Sequence, residues 1–108
     1  MQSIYTEPKY VVRWRAGEFF PAGQVFDPLS LKMQSEYIFT LAQQGKVFMA
    51  GPFADGSGAM TIFNIDDEAE ILSIINNNPA VVSKIVAADY VLWKPIDWQK
   101  FGEATKPV

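Results

Sequence analysis

The stretch KVFMAGPFADGSGAMTIFNI, residues 46–65, decides the fold, because two strongly apolar runs flank a short glycine-rich loop. The runs KVFMAG (46–51) and AMTIFNI (59–65) have the composition of β-strands. Between them, Asp55-Gly56 is a dipeptide that favours a hairpin, since glycine adopts a positive φ at little cost. We therefore predict two antiparallel strands joined by a hairpin loop.

The same glycine-rich loop resembles, at first sight, a phosphate-binding loop. The dinucleotide fingerprint G-x-G-x-x-G follows a strand and opens a helix, whereas a strand-like run follows here. The Walker pattern requires Gly-Lys-Ser/Thr after the glycines, and the sequence has none there. A hairpin is therefore the prediction, and a loop that also contacts a ligand anion is the minor alternative.

Capping signals predict three helices around this hairpin. Ser30 is the expected N-cap of the first helix, which ends before Gly45, a residue suited to the left-handed C′ position. Asp66 is the expected cap of a second helix, DEAEILSIINN, whose early acidic residues match the helix dipole. Asn78, a strong N-cap that is followed by proline, begins a short third helix.

Two further strand patterns complete the fold. KYVVRWR (9–15) predicts the first strand and DYVLWKPI (89–96) predicts the last. The order β-α-β-β-α-(α)-β predicts an α+β, ferredoxin-like βαββαβ fold with an antiparallel four-stranded sheet and helices on one face. We assign residues 9–96 to this domain and residues 97–108 to a C-terminal tail.

The predicted strands are apolar on both faces, which is typical of a sheet that is covered on both sides. The chain has helices for only one side. A second copy of the chain is the simplest cover for the other side, so we predict a homodimer that forms through the open sheet face.

Composition narrows the chemistry that the chain can perform. Cysteine and histidine are both absent, which excludes Ser-His and Cys-His nucleophiles and metals ligated by either residue. The acidic run DDEAE (66–70) is typical of a helix N-terminus with a solvated face, and a divalent-metal site is the less favoured alternative. We expect no metal and no cofactor.

Charge and hydropathy exclude two classes of partner. The net charge is -3, and the nine basic residues are scattered, so no nucleic-acid partner is expected. No apolar run approaches the ~18 residues that span a bilayer, so no membrane partner is expected either. The N-terminal sequence lacks the pattern of a signal peptide, and we therefore expect a cytoplasmic location.

Three segments carry a family resemblance: GKVFMAGPFADGSGAMTIF, then DDEAEILSIINNNPAVVSKIV, then YVLWKP. Together they resemble the YCII-related family, over roughly residues 9–96. The resemblance implies a dimeric α/β barrel, in which two ferredoxin-like units share their open sheet faces. It also implies a catalytic pair, a histidine on the first helix and the aspartate of an Asp-Pro, whose places fall here on Gln34 and Asn78. Both are neutral amides, which can hydrogen-bond a substrate but cannot act as a general acid or base.

Gln34 stands out without the resemblance, because it lies in the middle of an apolar helical stripe formed by Leu31, Ile38, Leu41 and Ala42. It either faces a ligand pocket or is a core glutamine that the backbone satisfies. For Asn78, helix capping is the simpler explanation. Gly51 and Pro52 end the neighbouring strand and are expected to line the same site.

Arg13 is the remaining candidate ligand-binding residue. Together with Arg15 it lies on the strand face opposite Trp14, where an arginine suits a carboxylate or phenolate ligand. A salt bridge at the strand end is the simpler alternative.

Two functions remain open on these grounds. The favoured hypothesis is a small soluble dimer that binds a small polar or aromatic molecule without acid-base chemistry. The alternative is a small-molecule enzyme of isomerase, lyase or dehydrochlorinase type, in a pocket at the junction of sheet and helix. Its acid or base would have to come from a tyrosine or from Asp55, Asp89 or Glu36.

Overall fold

A computed structural model describes residues 3–107 as an α+β fold built on one sheet. The four strands are antiparallel and lie in the order β2-β3-β1-β4. Four helices occur in the described residues. The elements follow the chain as β1 Lys9–Ala16, α1 Lys32–Gln43, β2 Val47–Pro52, β3 Gly58–Phe63, α2 Glu68–Asn76, α3 Pro79–Val82, β4 Val86–Trp93 and α4 Trp98–Ala104.

Strand β1 lies in the middle of the sheet and alternates between two environments. Tyr10, Val12 and Trp14 are buried and belong to the core beneath the helices. Their neighbours Val11 and Arg13 point to the opposite face, as the twofold period of a strand requires. The sheet therefore has one face packed on the core and one face that no element of the described chain covers.

The core joins the inner sheet face to helices α1, α2 and α3. Helix α2 contributes its whole apolar stripe, and α1 and α3 add one side chain each. The buried helical residues of the core are Leu41, Ile71, Ile74, Ile75 and Ala80. Of the apolar stripe that the sequence predicted for the first helix, Leu41 is buried in this core, Leu31 and Ile38 are half-buried, and Ala42 is exposed.

The hairpin between β2 and β3 is confirmed. Gly56 has a φ of 75°, in the left-handed region, and the amide of Phe53 donates to the carbonyl oxygen of Gly58 at 2.8 Å. Asp55 supports the turn, because its Oδ1 accepts the backbone N–H of Ser57 at 3.0 Å. The hairpin also holds the loop that precedes α1, because the carbonyl oxygen of Gly56 accepts a hydrogen bond from the amide of Phe26 at 3.1 Å.

Two predicted helix caps were wrong by one residue. The N-cap position of α1 is Leu31, whose side chain cannot cap a helix. The Ser30 hydroxyl donates to Asp27 Oδ2 at 3.1 Å and does not cap the helix. Asp67, rather than Asp66, caps α2 by accepting the amide of Ala69. At α1, the Asp27 carboxylate binds the hydroxyl that was expected to cap the helix; at α2, the carboxylate of the next residue provides the cap.

The other helix signals are confirmed. Gly45 follows α1 with a φ of 77°, and Asn78 caps α3 by accepting the amide of Ala80 at 3.0 Å.

Strand β4 begins and ends three residues earlier than predicted. Its full length pairs with β1, from Val86 opposite Ala16 to Trp93 opposite Lys9. Pro95 cannot donate to a ladder, and its carbonyl oxygen accepts instead from the amide of Thr6 at 2.9 Å.

The predicted tail contains helix α4, which makes no substantial packing contact with another helix or strand of the described chain. Trp98 and Phe101 contact each other edge to face at 5.2 Å between ring centroids, and both are exposed. The molecule is consequently elongated, with extents of 59 × 29 × 23 Å. Within residues 3–107, no helix has the length and apolar character needed to cross a bilayer.

Candidate functional site

A cavity of about 370 Å³ opens between α1, the edge strand β2 and the loop that precedes α1. Its volume lies within the range of small-molecule sites, which is roughly 300–1,000 Å³. The lining is mainly apolar, with a few polar groups. The lining residues on which the argument below depends are Trp14, Phe26, Asp27, Gln34, Ala50, Gly51, Pro52 and Thr61.

Gln34 and Asn78 form a direct contact behind the wall of this cavity. The Nδ2 group of Asn78 donates to Oε1 of Gln34 at 2.6 Å, and both residues are buried, at 0% exposure for Asn78 and 7% for Gln34. Asn78 is held by its second bond, in which Oδ1 accepts the amide of Ala80 at the start of α3. Gln34 lines the cavity, whereas Asn78 does not and supports Gln34 from behind.

The orientation of both amides follows from this chain of bonds. Because Ala80 N–H is a donor, the Asn78 atom facing it must be the oxygen, and the Asn78 atom facing Gln34 must be the NH₂ group. Gln34 therefore turns its oxygen to Asn78 and has its own NH₂ group left over. Within residues 3–107 that Nε2 makes no hydrogen bond, and no fully enclosed side-chain N or O atom there is unpaired. Nε2 therefore reaches accessible space, which at Gln34 is the cavity.

A second polar pair lies in the cavity wall formed by the sheet. The indole Nε1 of Trp14 donates to Oγ1 of Thr61 at 2.9 Å, with both residues almost completely buried. The indole N–H is satisfied by this bond, while the Thr61 hydroxyl keeps its own hydrogen, for which the described residues supply no acceptor.

Asp27 is the only ionisable residue among the described residues that line the cavity. Its carboxylate is engaged in the loop before α1, where Oδ1 accepts the amide of Leu29 at 3.2 Å and Oδ2 accepts the hydroxyl of Ser30. The carboxylate thus shapes the loop that carries Phe26 to the cavity.

Of the five candidate ligand-binding residues, the structure brings three to the cavity: Gln34, Gly51 and Pro52. Asn78 contacts Gln34 from behind. Arg13 lies on the uncovered sheet face, where its Nε donates to Oδ1 of Asp89 at 3.0 Å. The pair is about half exposed, and it matches the salt bridge that was the simpler alternative for Arg13.

The residues proposed as substitute acids or bases are all outside the cavity. Asp89 pairs with Arg13, Glu36 is exposed, and Asp55 supports the hairpin, where hydrogen bonds from the Ser57 side chain and amide lower its pKa. Tyr37 donates its hydroxyl to the carbonyl oxygen of Ile74 at 2.7 Å, and burial raises the pKa of its phenol.

The acidic run at residues 66–70 leads into α2, whose first turn contains Glu68 and Glu70. Asp67 caps this helix, and Glu70 pairs with Lys46 at 3.1 Å. Among residues 3–107, no group of three potential ligands is arranged around a metal position.

Sequence reasoning missed Phe26, Asp27 and Thr61 as cavity residues. Phe26 and Asp27 lie in a loop rich in glycine and proline, and this region predicts a turn without indicating where it packs. Thr61 is a polar residue on the inner face of an otherwise apolar strand, and that pattern is the one signal that pointed to it.

Comparison with known proteins adds no relative: no protein-family model matches the chain, and no curated protein is similar to it. What the fold and site define is a class, a small α+β protein with an antiparallel sheet and one mainly apolar cavity beside its edge strand.

Proposed function

We propose that this chain is a subunit of a ferredoxin-like homodimer of the YCII-related type, which binds a small, largely apolar or aromatic molecule without acid-base chemistry. The observation that carries the proposal is the cavity at Gln34, where a neutral amide that no described residue accepts from lies beside a mainly apolar wall. The sheet order β2-β3-β1-β4 and the element order support the ferredoxin-like assignment. The cytoplasmic location stays a prediction.

The absence of acid-base chemistry is supported by the nature of the paired groups. Gln34 and Asn78 are joined by one amide–amide hydrogen bond, and neither carries a proton that it could transfer near neutral pH. Ligand binding is then the role that these groups can perform.

The dimer is supported by the uncovered sheet face. Its apolar side chains include Met49, Val91 and Trp93, all exposed in the single chain, with Val11 and Ile62 between them. With strands of six to eight residues, the face measures roughly 440 Å². The Arg13–Asp89 pair occupies part of this face, so its apolar area is smaller than that, within the range of apolar patches on ordinary monomers.

The sheet faces alone are too small for a stable dimer. Two of them bury roughly 900 Å², whereas stable interfaces bury about 1,200–2,000 Å² in total. Trp98 and Phe101 of α4, the helix that follows β4 in the chain, are among the other exposed apolar side chains that would enlarge the interface. We therefore include α4 in the proposed interface.

Binding is tested by NMR titration of the ¹⁵N-labelled chain with acetophenone and with its hydrocarbon isostere α-methylstyrene. We expect saturable shifts of amides that line the cavity. Ala50→Leu fills the cavity from β2 and should abolish these shifts. Met49→Leu, at the neighbouring position on the other sheet face, is the matched control and should leave them unchanged. Shifts that are equal in both variants would place the probes elsewhere and remove the basis of the proposal.

The dimer is tested by light scattering. Wild type should give twice the 12.1 kDa of the chain at micromolar concentration. Val91→Asp puts a charge in the sheet face and should give a monomer, while Val82→Asp, at a valine on α3 that is comparably exposed, should remain dimeric. A wild-type monomer contradicts the proposed assembly.

One observation favours the enzyme alternative: Asp27, a carboxylate, lines the cavity. An isomerase or lyase would use it as its base. Because both of its oxygens are engaged by Leu29 and Ser30, we favour binding alone. Proton exchange at the methyl group of acetophenone, followed by NMR in D₂O, discriminates between the two. Catalysed exchange that is lost in Asp27→Asn would establish the enzyme.

A further inference from the structure

Two side chains that line the cavity, Gln34 and Thr61, have hydrogen-bond donors for which the described residues supply no acceptor. Gln34 has its oxygen occupied by Asn78 and turns its NH₂ group to the cavity, as derived above. Thr61 accepts from Trp14 and keeps a hydroxyl hydrogen. Asp27 accepts hydrogen bonds from the loop before α1, and the hydroxyl of Ser35, which also lines the cavity, donates to the carbonyl oxygens of Pro28 and Leu31.

We propose that the ligand is an uncharged, mainly apolar molecule with a hydrogen-bond acceptor, such as a ketone, ester or lactone carbonyl, that accepts from Nε2 of Gln34. This inference rests on the proposed function, because it concerns the ligand of the same cavity. It adds the chemical class of that ligand and the atom that recognises it.

Hydrogen bonds within the protein determine which end of the Gln34 amide faces the ligand. Ala80 N–H holds the oxygen of Asn78, Asn78 then presents its NH₂ group to Gln34, and Gln34 is left with its own NH₂ group for the ligand. Reversing Gln34 would bring two NH₂ groups together at 2.6 Å and leave both unsatisfied in a buried place. Asn78 is therefore a positioning residue for the donor.

Charge excludes the other ligand classes. No Lys or Arg occurs among the described residues that line the cavity, so a carboxylate or phosphate would be desolvated without a counter-ion. A cationic ligand would depend on Asp27, whose carboxylate already accepts two hydrogen bonds. A neutral carbonyl loses far less than a charged group on leaving water, and it gains a hydrogen bond from a donor that no described residue accepts from.

The test uses the same isosteric probes, acetophenone and α-methylstyrene, which differ only in a carbonyl oxygen against a CH₂ group. Their dissociation constants are measured by NMR titration at pH 8 on wild type, Gln34→Met and Gln34→Glu. Gln43→Met, an exposed glutamine at the end of the same helix, is the control.

Wild type and the Gln43 variant should bind the ketone about 2–10-fold more tightly than the hydrocarbon, the range expected for one neutral hydrogen bond. Gln34→Met should reduce that preference to within about twofold by removing the donor. In its ionised form, Gln34→Glu keeps the bond from Asn78 but turns an acceptor to the cavity, so it should bind the ketone less tightly than the hydrocarbon.

The two proposals fail in different ways. Equal affinity for both probes in wild type, at the cavity, overturns the ligand class and leaves the binding function intact. A ketone preference that persists in Gln34→Met and Gln34→Glu also overturns it, because the donor would then be another group. No binding of either probe overturns the proposed function and this inference together.

Discussion

Replacing Asn78 by alanine removes the residue that connects helix α3 to the cavity. Three losses follow from the structure: the cap on Ala80, the bond to Gln34 and the volume of a completely buried side chain. Loss of the cap costs about 1 kcal/mol. Leaving Gln34 Oε1 unpaired costs about 1–3 kcal/mol more. These two losses together lower the free energy of unfolding by roughly 2–4 kcal/mol, and the lost side-chain volume adds to that decrease.

Asn78→Ser separates these losses, because serine is also a good N-cap but is too short to reach Gln34. It should recover about 1 kcal/mol relative to Asn78→Ala. The control is Asn77→Ala, which removes an exposed side chain bonded to Ser73 and should cost less than about 1 kcal/mol.

The assay is equilibrium unfolding in urea, followed by tryptophan fluorescence, to which the buried Trp14 contributes. It is run at one protein concentration, because dimerisation contributes to stability. A double-mutant cycle of Asn78→Ser with Gln34→Met should give a coupling energy of about 0.5–3 kcal/mol. If Asn78→Ala costs no more than Asn77→Ala, or if the coupling is zero, the amide pair does not hold the site together and the reasoning is refuted.

Three further outcomes are expected. Gly58→Ala should destabilise the chain by about 1–3 kcal/mol in urea, because its Cβ would collide with the carbonyl oxygen of Trp14, whereas Gly102→Ala in α4 meets no atom and should be neutral or slightly stabilising. Burial raises the pKa of Tyr37, so the stabilisation that this raised pKa provides is complete below pH ~10 and is lost as the pH rises through the folded-state pKa. Between pH 9 and 11.5, the free energy of unfolding should therefore fall less in Tyr37→Phe than in wild type. Truncation after Asp97 removes Trp98 and Phe101 and should raise the dissociation constant of the dimer at least ~10-fold, as measured by sedimentation. An unchanged dissociation constant would rule α4 out of the interface.

The strands and the hairpin could be predicted because local signals agree with the tertiary packing there. Asp55-Gly56 turns between two apolar runs, and Gly56 takes the positive φ that the turn requires. Asn78 was equally readable, because an asparagine before a proline has one dominant local role.

The start of α1 could not be predicted, because two caps compete there. Ser30 has the chemistry of an N-cap, but the carboxylate of Asp27 captures its hydroxyl. Such competition depends on where the loop lies, and the loop is fixed by the bond between Phe26 and Gly56, which are far apart in sequence.

For the candidate site, the sequence pointed to Gln34 but not to Phe26, Asp27 and Thr61 of the cavity wall. Gln34 is conspicuous as a polar residue on a buried stripe, and it is buried. Its orientation could not be predicted, because it depends on the contact with Asn78, 44 residues further along the chain. Asp27 and Phe26 reach the cavity through tertiary contacts that leave no local pattern.

The most direct test of the account observes the Gln34 side chain itself. Its NH₂ resonances in the ¹⁵N-labelled chain are assigned by their loss in Gln34→Met, and acetophenone is then titrated in. The account predicts that one of the two Gln34 NH₂ protons moves downfield in a saturable way, and that α-methylstyrene binds at the same cavity without this shift. Gln34 NH₂ resonances that stay in place while acetophenone shifts the amides of the cavity wall would contradict it.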